Sequence, residues 1–281
     1  MLRHTFCHIP TLGVKSEIKI WDAGIATWDE FLAAEASDRA IPLAANKRAG
    51  ARDFVLESQR RLAAGDAAWF DAKLPAQQKW RLYGLFREQA GYLDIETTGA
   101  NTAGDHITAI ALYQRGKVKT YVHGKNLHHF PADVADCKLL VTFNGKCFDL
   151  PFLRRSFGIA LDHAHVDLRY VLRGLGVTGG LKACEKHFGL NRGGLDGVDG
   201  FDAVLLWRAY RRNGDPAALE TLLAYNVEDV LSLEYLGAVA YNQHVALTPF
   251  AAEHTVPLPS PAANPYAADP NILAGLRERY F

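Results

Sequence analysis

The stretch YLDIETTG (Tyr92–Gly99) places two carboxylates, Asp94 and Glu96, inside an otherwise apolar run. Because side chains alternate along a β-strand, residues i and i+2 share one face. Both carboxylates therefore project together, while Leu93 and Ile95 point to the other face. The acidic face of such a strand either lies in solvent or has carboxylates that serve nearby turns. Otherwise the strand needs a group that compensates the charge. The D-x-E pair alone does not decide among these.

The segments that follow predict a sheet. HITAIALYQRG and KVKTYVHG are rich in β-branched and aromatic residues and meet at Arg115-Gly116, which is typical of a hairpin. KLLVTFNG is a short apolar run that ends in Asn-Gly and suits a buried strand, and HVDLRYVL contains a further strand candidate. Three antiparallel strands followed by strands that alternate with helices predict an α/β fold, with a mixed sheet flanked by helices.

Two predicted helices have clear boundaries. FDLPFLRRSFG carries Pro151 in its first turn and Gly158 at its end. A longer helix begins at GDPAALETLLAYNVEDVLSLEYL, where Asp215 suits the cap, Pro216 suits the first position, and leucines recur at helical spacing.

Two further acidic residues lie on these helices. Asp149 stands at the start of the first helix, and Asp229 lies in the second with Tyr225 one turn earlier. Residues i and i+4 share a helix face, so Tyr225 and Asp229 project together. Buried like charges are costly and drive one another towards protonation unless a cation intervenes. Four carboxylates in mainly apolar runs therefore indicate bound cations.

Oxygen ligands select Mg²⁺ or Mn²⁺, and neither the four scattered cysteines nor the eleven histidines show zinc-ligand spacing. Two such ions ~3.5–4 Å apart are the usual arrangement for in-line attack on a phosphodiester. In that setting Tyr225 is a candidate for orienting the attacking water. Its alternative role is ordinary packing of an aromatic ring on a core helix.

In order and spacing, three motifs resemble those of DEDD-type 3′–5′ exonucleases: D-x-E at Asp94/Glu96, N-G-x-x-F-D ending at Asp149, and Y-x-x-x-D at Tyr225/Asp229. Ala224 stands where the histidine subclass carries its histidine, so the chain resembles the tyrosine subclass. The segments GGLKACEKHFGL and LLAYNVEDVLSLEYL resemble, more narrowly, a predicted bacterial ribonuclease H-like exonuclease family.

This resemblance covers roughly residues 91 to 242 and implies a ribonuclease H-like fold. It implies that the four carboxylates are metal ligands and that Tyr225 orients water. The implied reaction is hydrolysis of DNA or RNA from a single-stranded 3′ end by a two-metal-ion mechanism. Two alternatives are a catalytically silent nucleic-acid-binding module on the same fold and a structure-specific endonuclease.

Weaker signals indicate substrate contacts. Thr97 and Thr98 follow the carboxylate pair, where small residues let a nucleotide backbone approach, or they simply end the strand in a turn. Asn144 either bonds substrate or fixes its own loop. Lys182, after two glycines at a predicted helix start, is placed to meet a phosphate. Asp167 either orients a ligand or bonds backbone at a strand end.

The amino-terminal segment HIPTLGVKSEIKIWDAGIATWDEFL resembles a helix–hairpin–helix element, which binds nucleic-acid phosphates through backbone amides. Thr11 stands where such elements carry the first glycine of Gly-x-Gly, so a purely structural helical pair is the alternative. Thr27 and Glu30 have capping-box spacing. We therefore predict this element over 1–35, a helical connector over 36–88, a ribonuclease H-like exonuclease domain over 89–245, and a Pro/Ala-rich tail over 246–281.

Composition excludes some classes of protein. With 49% hydrophobic residues among 281, wholesale disorder is excluded. Lys plus Arg and Asp plus Glu are both 31, a balance that permits nucleic acid because a local groove can be basic on a neutral protein. The sequence shows neither a signal-peptide run nor an apolar segment of membrane length, so we predict a cytoplasmic protein without a membrane partner. It indicates no protein partner.

Overall fold

A five-stranded mixed sheet forms the centre of the computed structural model, which describes residues 1–37, 39–48, 50–99, 104–260 and 262–280. The strands are β1 (Ala90–Thr97), β2 (Ile107–Gln114), β3 (Lys117–Val122), β4 (Leu139–Thr142) and β5 (Ala164–Asp167). Their order across the sheet is β3-β2-β1-β4-β5. Neighbouring strands in β1–β3 are antiparallel, whereas β4 pairs in parallel with β1 and β5 in parallel with β4. The predicted α/β class and mixed sheet are confirmed.

The antiparallel half of the sheet forms as its sequence indicates. Arg115 and Gly116 both have positive φ, 50° and 74°, as the two central residues of a primed hairpin turn require. Asp94 lies opposite Ala111 on β2, and Glu96 lies opposite Ala109. Because directly opposed side chains are close neighbours, an alanine at each of these positions leaves room beside the carboxylate.

Helices cover the sheet and form the amino-terminal region. The α-helices are α1 (Val14–Asp22), α2 (Trp28–Ala36), α3 (Ala45–Arg48), α4 (Ala51–Ala63), α5 (Ala67–Lys73), α6 (Tyr83–Phe86), α7 (Phe130–Val134), α8 (Asp149–Phe157), α9 (Leu168–Arg173), α10 (Leu181–His187), α11 (Gly200–Asn213), α12 (Pro216–Ala246), α13 (Ala251–His254) and α14 (Pro270–Tyr280). Short 3₁₀ turns lie at Leu2–His4, Ala76–Leu82, Arg87–Gln89, Leu127–His129 and Gly193–Leu195.

The 31-residue helix α12 crosses the sheet and packs on β1, β2 and α11. As predicted, the Asp215 side chain caps it by accepting a hydrogen bond from the Ala217 N–H, and Pro216 occupies its first position. Apolar side chains lie all around it, which is typical of a buried helix. Among the described residues, no helix combines the length and apolarity needed to span a membrane.

A buried ion pair fastens the amino-terminal region to the rest of the chain. The Arg81 guanidinium donates to both carboxylate oxygens of Glu17, at 2.9 and 2.7 Å, and to the Thr5 hydroxyl at 3.0 Å. Glu17 also accepts the backbone N–H groups of Phe6 and Cys7. Residues of this region and of the sheet belong to one continuous cluster of buried apolar side chains.

The segment after α13 follows the surface of α12, where side chains hold it. The Asn264 side-chain amide donates to the Ala224 carbonyl at 2.8 Å, and the hydroxyls of Tyr266 and Thr120 are 2.6 Å apart. Leu273 of α14 is buried. This Pro/Ala-rich segment thus runs along the surface of α12 and ends in a docked helix, which composition did not indicate.

Two glycines allow the connector to pack tightly against α12. A Cβ on Gly237 would lie 2.7 Å from Cε2 of Tyr83, and a Cβ on Gly84 would lie 2.2 Å from the Tyr241 hydroxyl. The Tyr83 ring is held because its hydroxyl bonds both the Tyr92 hydroxyl and the Glu234 carbonyl. Each tyrosine therefore occupies the space that a side chain on the facing glycine would need.

We expect Gly237→Ala to lower the free energy of unfolding by about 1–3 kcal/mol, because the added methyl group overpacks a fixed ring. Chemical denaturation measures the change. Gly275→Ala is the matched control: it is also helical, its Cβ would meet nothing within 4 Å, and alanine favours a helix. Equal stability of the two variants would contradict the proposed packing constraint.

Candidate active site

The central strand and the long helix bring three predicted carboxylates together. Oxygens of Asp94, Glu96 and Asp229 lie within 4.8 Å of one another. Strand alternation points Asp94 and Glu96 to the face of β1 on which α12 packs, and Asp229 meets them from the helix. Glu96 and Asp229 are buried, whereas Asp94 keeps part of its surface exposed.

Asp149 approaches the same strand from the start of α8. Its Oδ1 accepts the backbone N–H of Ile95 at 3.2 Å, between the two carboxylates of β1. Asp149 is buried, yet it stands outside the group of oxygens within 4.8 Å of one another. All four predicted ligands thus lie around the middle of β1, three as a tight cluster and the fourth beside it.

Burial and mutual repulsion make this cluster electrostatically unfavourable without a cation. Burial, followed by the charges of neighbouring carboxylates, raises the pKa of Asp94 and of Glu96 well above the ordinary values. Burial likewise raises the pKa of Asp149 to about 7, although backbone hydrogen bonds oppose the shift. It raises the pKa of Asp229 to about 6, despite the opposing charge of Arg192. A bound cation would relieve the repulsion without protonation.

Arg192 is a buried residue of the site that the sequence analysis missed. Its Nε and one terminal nitrogen donate to the two oxygens of Glu185, at 2.5 and 2.6 Å. The other terminal nitrogen forms an ion pair with Oδ1 of Asp229 at 2.5 Å. Burial disfavours the guanidinium charge, but Asp229 and Glu185 outweigh that effect and raise the pKa of Arg192. The site therefore contains one permanent positive charge, supplied by a loop whose sequence gave no signal.

Asn226 is a second residue that the analysis missed. Its side-chain amide donates to Oδ2 of Asp94 at 2.7 Å, and its own Oδ1 is buried without a hydrogen-bond partner among the described residues. Asn226 precedes Asp229 by three residues, so both lie on one face of α12. The i, i+3 rule, applied to YNVED, would have identified it.

Tyr225 and Lys182 lie against each other at the edge of the cluster. The Lys182 ammonium is 5.0 Å from the centroid of the Tyr225 ring, and the Arg192 guanidinium is 5.8 Å from it. Burial, reinforced by the charge of Asp229, raises the pKa of Tyr225, so its hydroxyl keeps its proton. Burial lowers the pKa of Lys182, although Asp229 opposes the shift.

The predicted substrate residues near the strand end bond their own chain. The Thr97 hydroxyl donates to the Gly99 carbonyl at 2.6 Å, and the Thr98 hydroxyl donates to Asp105 at 3.2 Å and accepts the His106 N–H. These bonds are those of a strand-ending turn. Both threonines adjoin the carboxylate pair, and their contact with substrate stays a prediction.

The Asn-Gly loop between β4 and α8 is held by Asp167. Its carboxylate accepts the backbone N–H groups of Asn144, Lys146 and Arg169, at 2.8, 3.0 and 3.1 Å. Asn144 adopts a positive φ of 65°, and its side-chain oxygen accepts a hydrogen bond from Arg169. Asp167 is therefore the strand-end residue bonded to backbone, and it shapes the loop that leads to Asp149.

The donor set suits hard divalent cations. Its members are carboxylates, which Mg²⁺ and Mn²⁺ prefer, and Oδ1 of Asp229 is buried without a hydrogen bond of good geometry. Asp94, Glu96 and Asp229 are the residues that would hold such an ion, with Asp149 next to them. Neither sulfur nor imidazole belongs to this cluster of described residues.

A five-stranded mixed sheet flanked by helices, with two carboxylates of an acidic cluster on its central strand, defines an α/β protein. The sequence profile described as RNase_H superfamily matches residues 91–241, which is 151 of the 281 residues. The chain therefore belongs to this superfamily, and the predicted ribonuclease H-like fold is confirmed. This membership supports a nuclease-type function.

Two other comparisons accompany this assignment. The chain is similar to the family B DNA polymerase from the hyperthermophilic archaeon Pyrobaculum calidifontis, at 18% identity and a TM-score of 0.43. That match covers 56% of this chain and 24% of the polymerase chain. None of the curated proteins matches the sequence.

The raised pKa of Asp149 predicts a pH-dependent stability in the metal-free protein. Its pKa is about 7 in the folded protein and 3.8 ordinarily, so between these values the folded state binds the extra proton. Stability contributed by Asp149 therefore falls as the pH rises through this window. We expect Asp149→Asn to gain about 2 kcal/mol relative to the wild type between pH 5 and pH 8. Urea unfolding in EDTA measures this difference.

Asp133→Asn is the control, because its expected effect on the free energy of unfolding is opposite to that of Asp149→Asn. Hydrogen bonds from Lys119 and then Tyr121 lower the pKa of Asp133, so its charged form stabilises the fold above the ordinary pKa. That variant is expected to lose stability at both pH 5 and pH 8. An Asp149→Asn difference that does not change with pH would contradict the electrostatic account of the site.

Proposed function

We propose that the chain is a metal-dependent 3′–5′ exonuclease that hydrolyses phosphodiester bonds of single-stranded DNA or RNA ends. The observation that carries this proposal is the convergence of Asp94, Glu96 and Asp229, with Asp149 beside them, in a chain of the RNase_H superfamily. Four carboxylates around one buried strand have an evident purpose only if divalent cations neutralise them.

Each residue of the site has a role in this reaction. The four carboxylates would hold two Mg²⁺ or Mn²⁺ ions, whose positive charge would supply activation of water and stabilisation of the leaving oxygen. The protonated Tyr225 hydroxyl donates a hydrogen bond that orients the attacking water. Lys182 and Arg192 place positive charge beside the reacting phosphate, where charge accumulates in the transition state.

Asn226 and Glu185 position other groups of the site. The Asn226 amide fixes the orientation of Asp94, and Glu185 fixes the guanidinium of Arg192. Ordered ligands reduce the reorganisation needed when charge develops. We therefore assign both residues to positioning.

A basic groove beside the site supports a single-stranded substrate. It has a volume of about 590 Å³ and is lined by Phe143, Asn144, Arg169, Arg173 and the segment 178–181. The two arginines suit phosphates, and Phe143 offers an aromatic face for a base. Leu181 lines the groove, and the next residue, Lys182, lies 5.0 Å from the Tyr225 ring.

The amino-terminal element contributes a second candidate contact with nucleic acid. Thr11 adopts a positive φ of 70°, a conformation that favours glycine and is strained for a β-branched residue. Thr11 thus adopts a backbone conformation that glycine would adopt without strain. Gly13 then caps α1 without a side-chain hydrogen bond, and Lys15 and Lys19 are exposed on that helix. We propose that this turn contacts a phosphate.

We expect Asp94→Asn to abolish cleavage of end-labelled oligonucleotides in Mg²⁺ while the protein remains folded, because the amide removes one ligand charge. Time courses on 3′-labelled and 5′-labelled DNA and RNA show activity, polarity and sugar preference together. Asp162→Asn, at an exposed carboxylate outside the site, is the control and should cleave normally.

The same assay separates the alternative functions. A silent binding module would retain nucleic acid without cleaving it and would be indifferent to EDTA. A structure-specific endonuclease would cut a circular single strand, on which an exonuclease has no end to start from. Mg²⁺-dependent cleavage by the Asp94→Asn variant would reject the site assignment.

The phosphate contact of the amino-terminal element is tested by Lys15→Glu/Lys19→Glu. Removing residues 1–35 would expose the core that Phe6 and Trp28 fill, whereas these two surface changes leave it intact. We expect weaker binding of a single-stranded oligonucleotide, with a shallower salt dependence, because cationic contacts are lost. Fluorescence anisotropy at several salt concentrations measures both.

Thr11→Gly is the companion variant and should bind at least as tightly as the wild type, since glycine relaxes the strained turn. If the Lys15→Glu/Lys19→Glu variant bound the oligonucleotide with an unchanged dissociation constant, the phosphate contact would be rejected. The amino-terminal element would then be a purely structural helical pair.

A further inference from the structure

Outside the acidic site, His4, Glu253 and His254 meet where the amino-terminal segment packs against α13. One nitrogen or carboxylate oxygen from each lies within 4.8 Å of those of the other two. Nε2 of His4 is 4.0 Å from Oε2 of Glu253, and the two imidazole rings are 4.8 Å apart between centroids. About 250 residues of sequence separate the histidines, so no spacing motif could indicate this cluster.

His4 is oriented in the way that a metal-binding histidine usually is. Its Nδ1 donates to the Ala26 carbonyl at 3.0 Å, which leaves the lone pair of Nε2 directed at the cluster. Its ring is buried and stacks on Phe250 with 4.0 Å between centroids. The first ligand is therefore held before any ion arrives.

The other two residues leave room for an ion to enter. Glu253 keeps 68% of its side chain exposed, so its carboxylate is free to turn towards the imidazoles. His254 is half-buried, and its Nδ1 and Nε2 lie 3.1 and 3.2 Å from the amino-terminal nitrogen of Met1, which a bound ion would replace at one of the two ring atoms. A cavity of about 490 Å³ adjoins all three residues and admits water as a further ligand.

We propose that His4, His254 and Glu253 form a binding site for a transition-metal ion of the Zn²⁺ class, separate from the acidic site. Two imidazoles and one carboxylate are the donors that Zn²⁺ takes in three-ligand sites with water in the fourth position. The all-carboxylate cluster instead suits harder ions. The two sites are also apart, because Asp229 lies about 25 Å along α12 from its end at Ala246.

Such an ion would link the first residues of the chain to the segment that follows the long helix. His4 belongs to the 3₁₀ turn that begins the amino-terminal region, and Glu253 and His254 end α13. Because binding to the folded state alone stabilises it, Zn²⁺ should raise the melting temperature without entering the nuclease site.

The test uses tag-free, full-length protein that carries Asp94→Asn and Asp229→Asn, so that the acidic site contributes no ligand set. We expect isothermal titration with ZnCl₂ to show one site per chain and Zn²⁺ to raise the melting temperature. CoCl₂ should give the visible absorption of a low-coordinate ion with nitrogen ligands.

Adding Glu253→Gln to this background should weaken Zn²⁺ binding by about tenfold or more, and adding His4→Ala/His254→Ala should abolish it. Since His4 also packs in the core, His254→Gln alone is the variant that keeps the fold and still removes a ligand. His128→Ala/His129→Ala is the control, at two exposed histidines whose rings are 4.1 Å apart, and should bind normally.

Two results would overturn the proposal: absence of Zn²⁺ binding in the parent background, or binding unchanged in the His254→Gln and Glu253→Gln variants. Neither result bears on nuclease activity, because the parent background already lacks two carboxylates of that site.

Discussion

Mutual repulsion among buried carboxylates is the constraint around which this protein is built. Asp94 and Glu96 share a face of β1 because of strand alternation, and α12 sets Asp229 against them. Burial raises the pKa of every member of the group, and neighbouring carboxylates raise those of Asp94 and Glu96 further. Protonation relieves this cost in the metal-free protein, and groups perturbed in this way are typical of functional sites.

Side chains of the protein itself compensate part of the negative charge of the cluster. Arg192 supplies a permanent charge to Asp229 and is itself fixed by Glu185, while Asn226 donates to Asp94. Asp94 keeps an exposed surface beside these contacts. The arrangement thus orders the carboxylates, as the proposed cation binding requires.

Packing of the connector joins the helix and the strand that carry the carboxylates. Gly237 lets α12 approach the Tyr83 ring closely, and Tyr83 bonds the Tyr92 hydroxyl on β1. The helix and strand that carry the carboxylates are therefore fixed through a common contact with the connector. The pair Glu17–Arg81 then fastens the amino-terminal helices to the connector.

The sequence by itself determined the strands, the hairpin at Arg115-Gly116, the end of α8 at Gly158 and the cap of α12, and it singled out the four carboxylates as candidates. These features follow from local rules of periodicity, capping and turn geometry, which act over a few residues. Asn226 could also have been predicted, because residues i and i+3 share a helix face and Asn226 precedes Asp229 by three residues. Only the tertiary structure decided that Arg192 meets Asp229 and that His4 meets His254. Those pairs are distant in the chain and join loops or segments whose path depends on packing, so no local pattern encodes them.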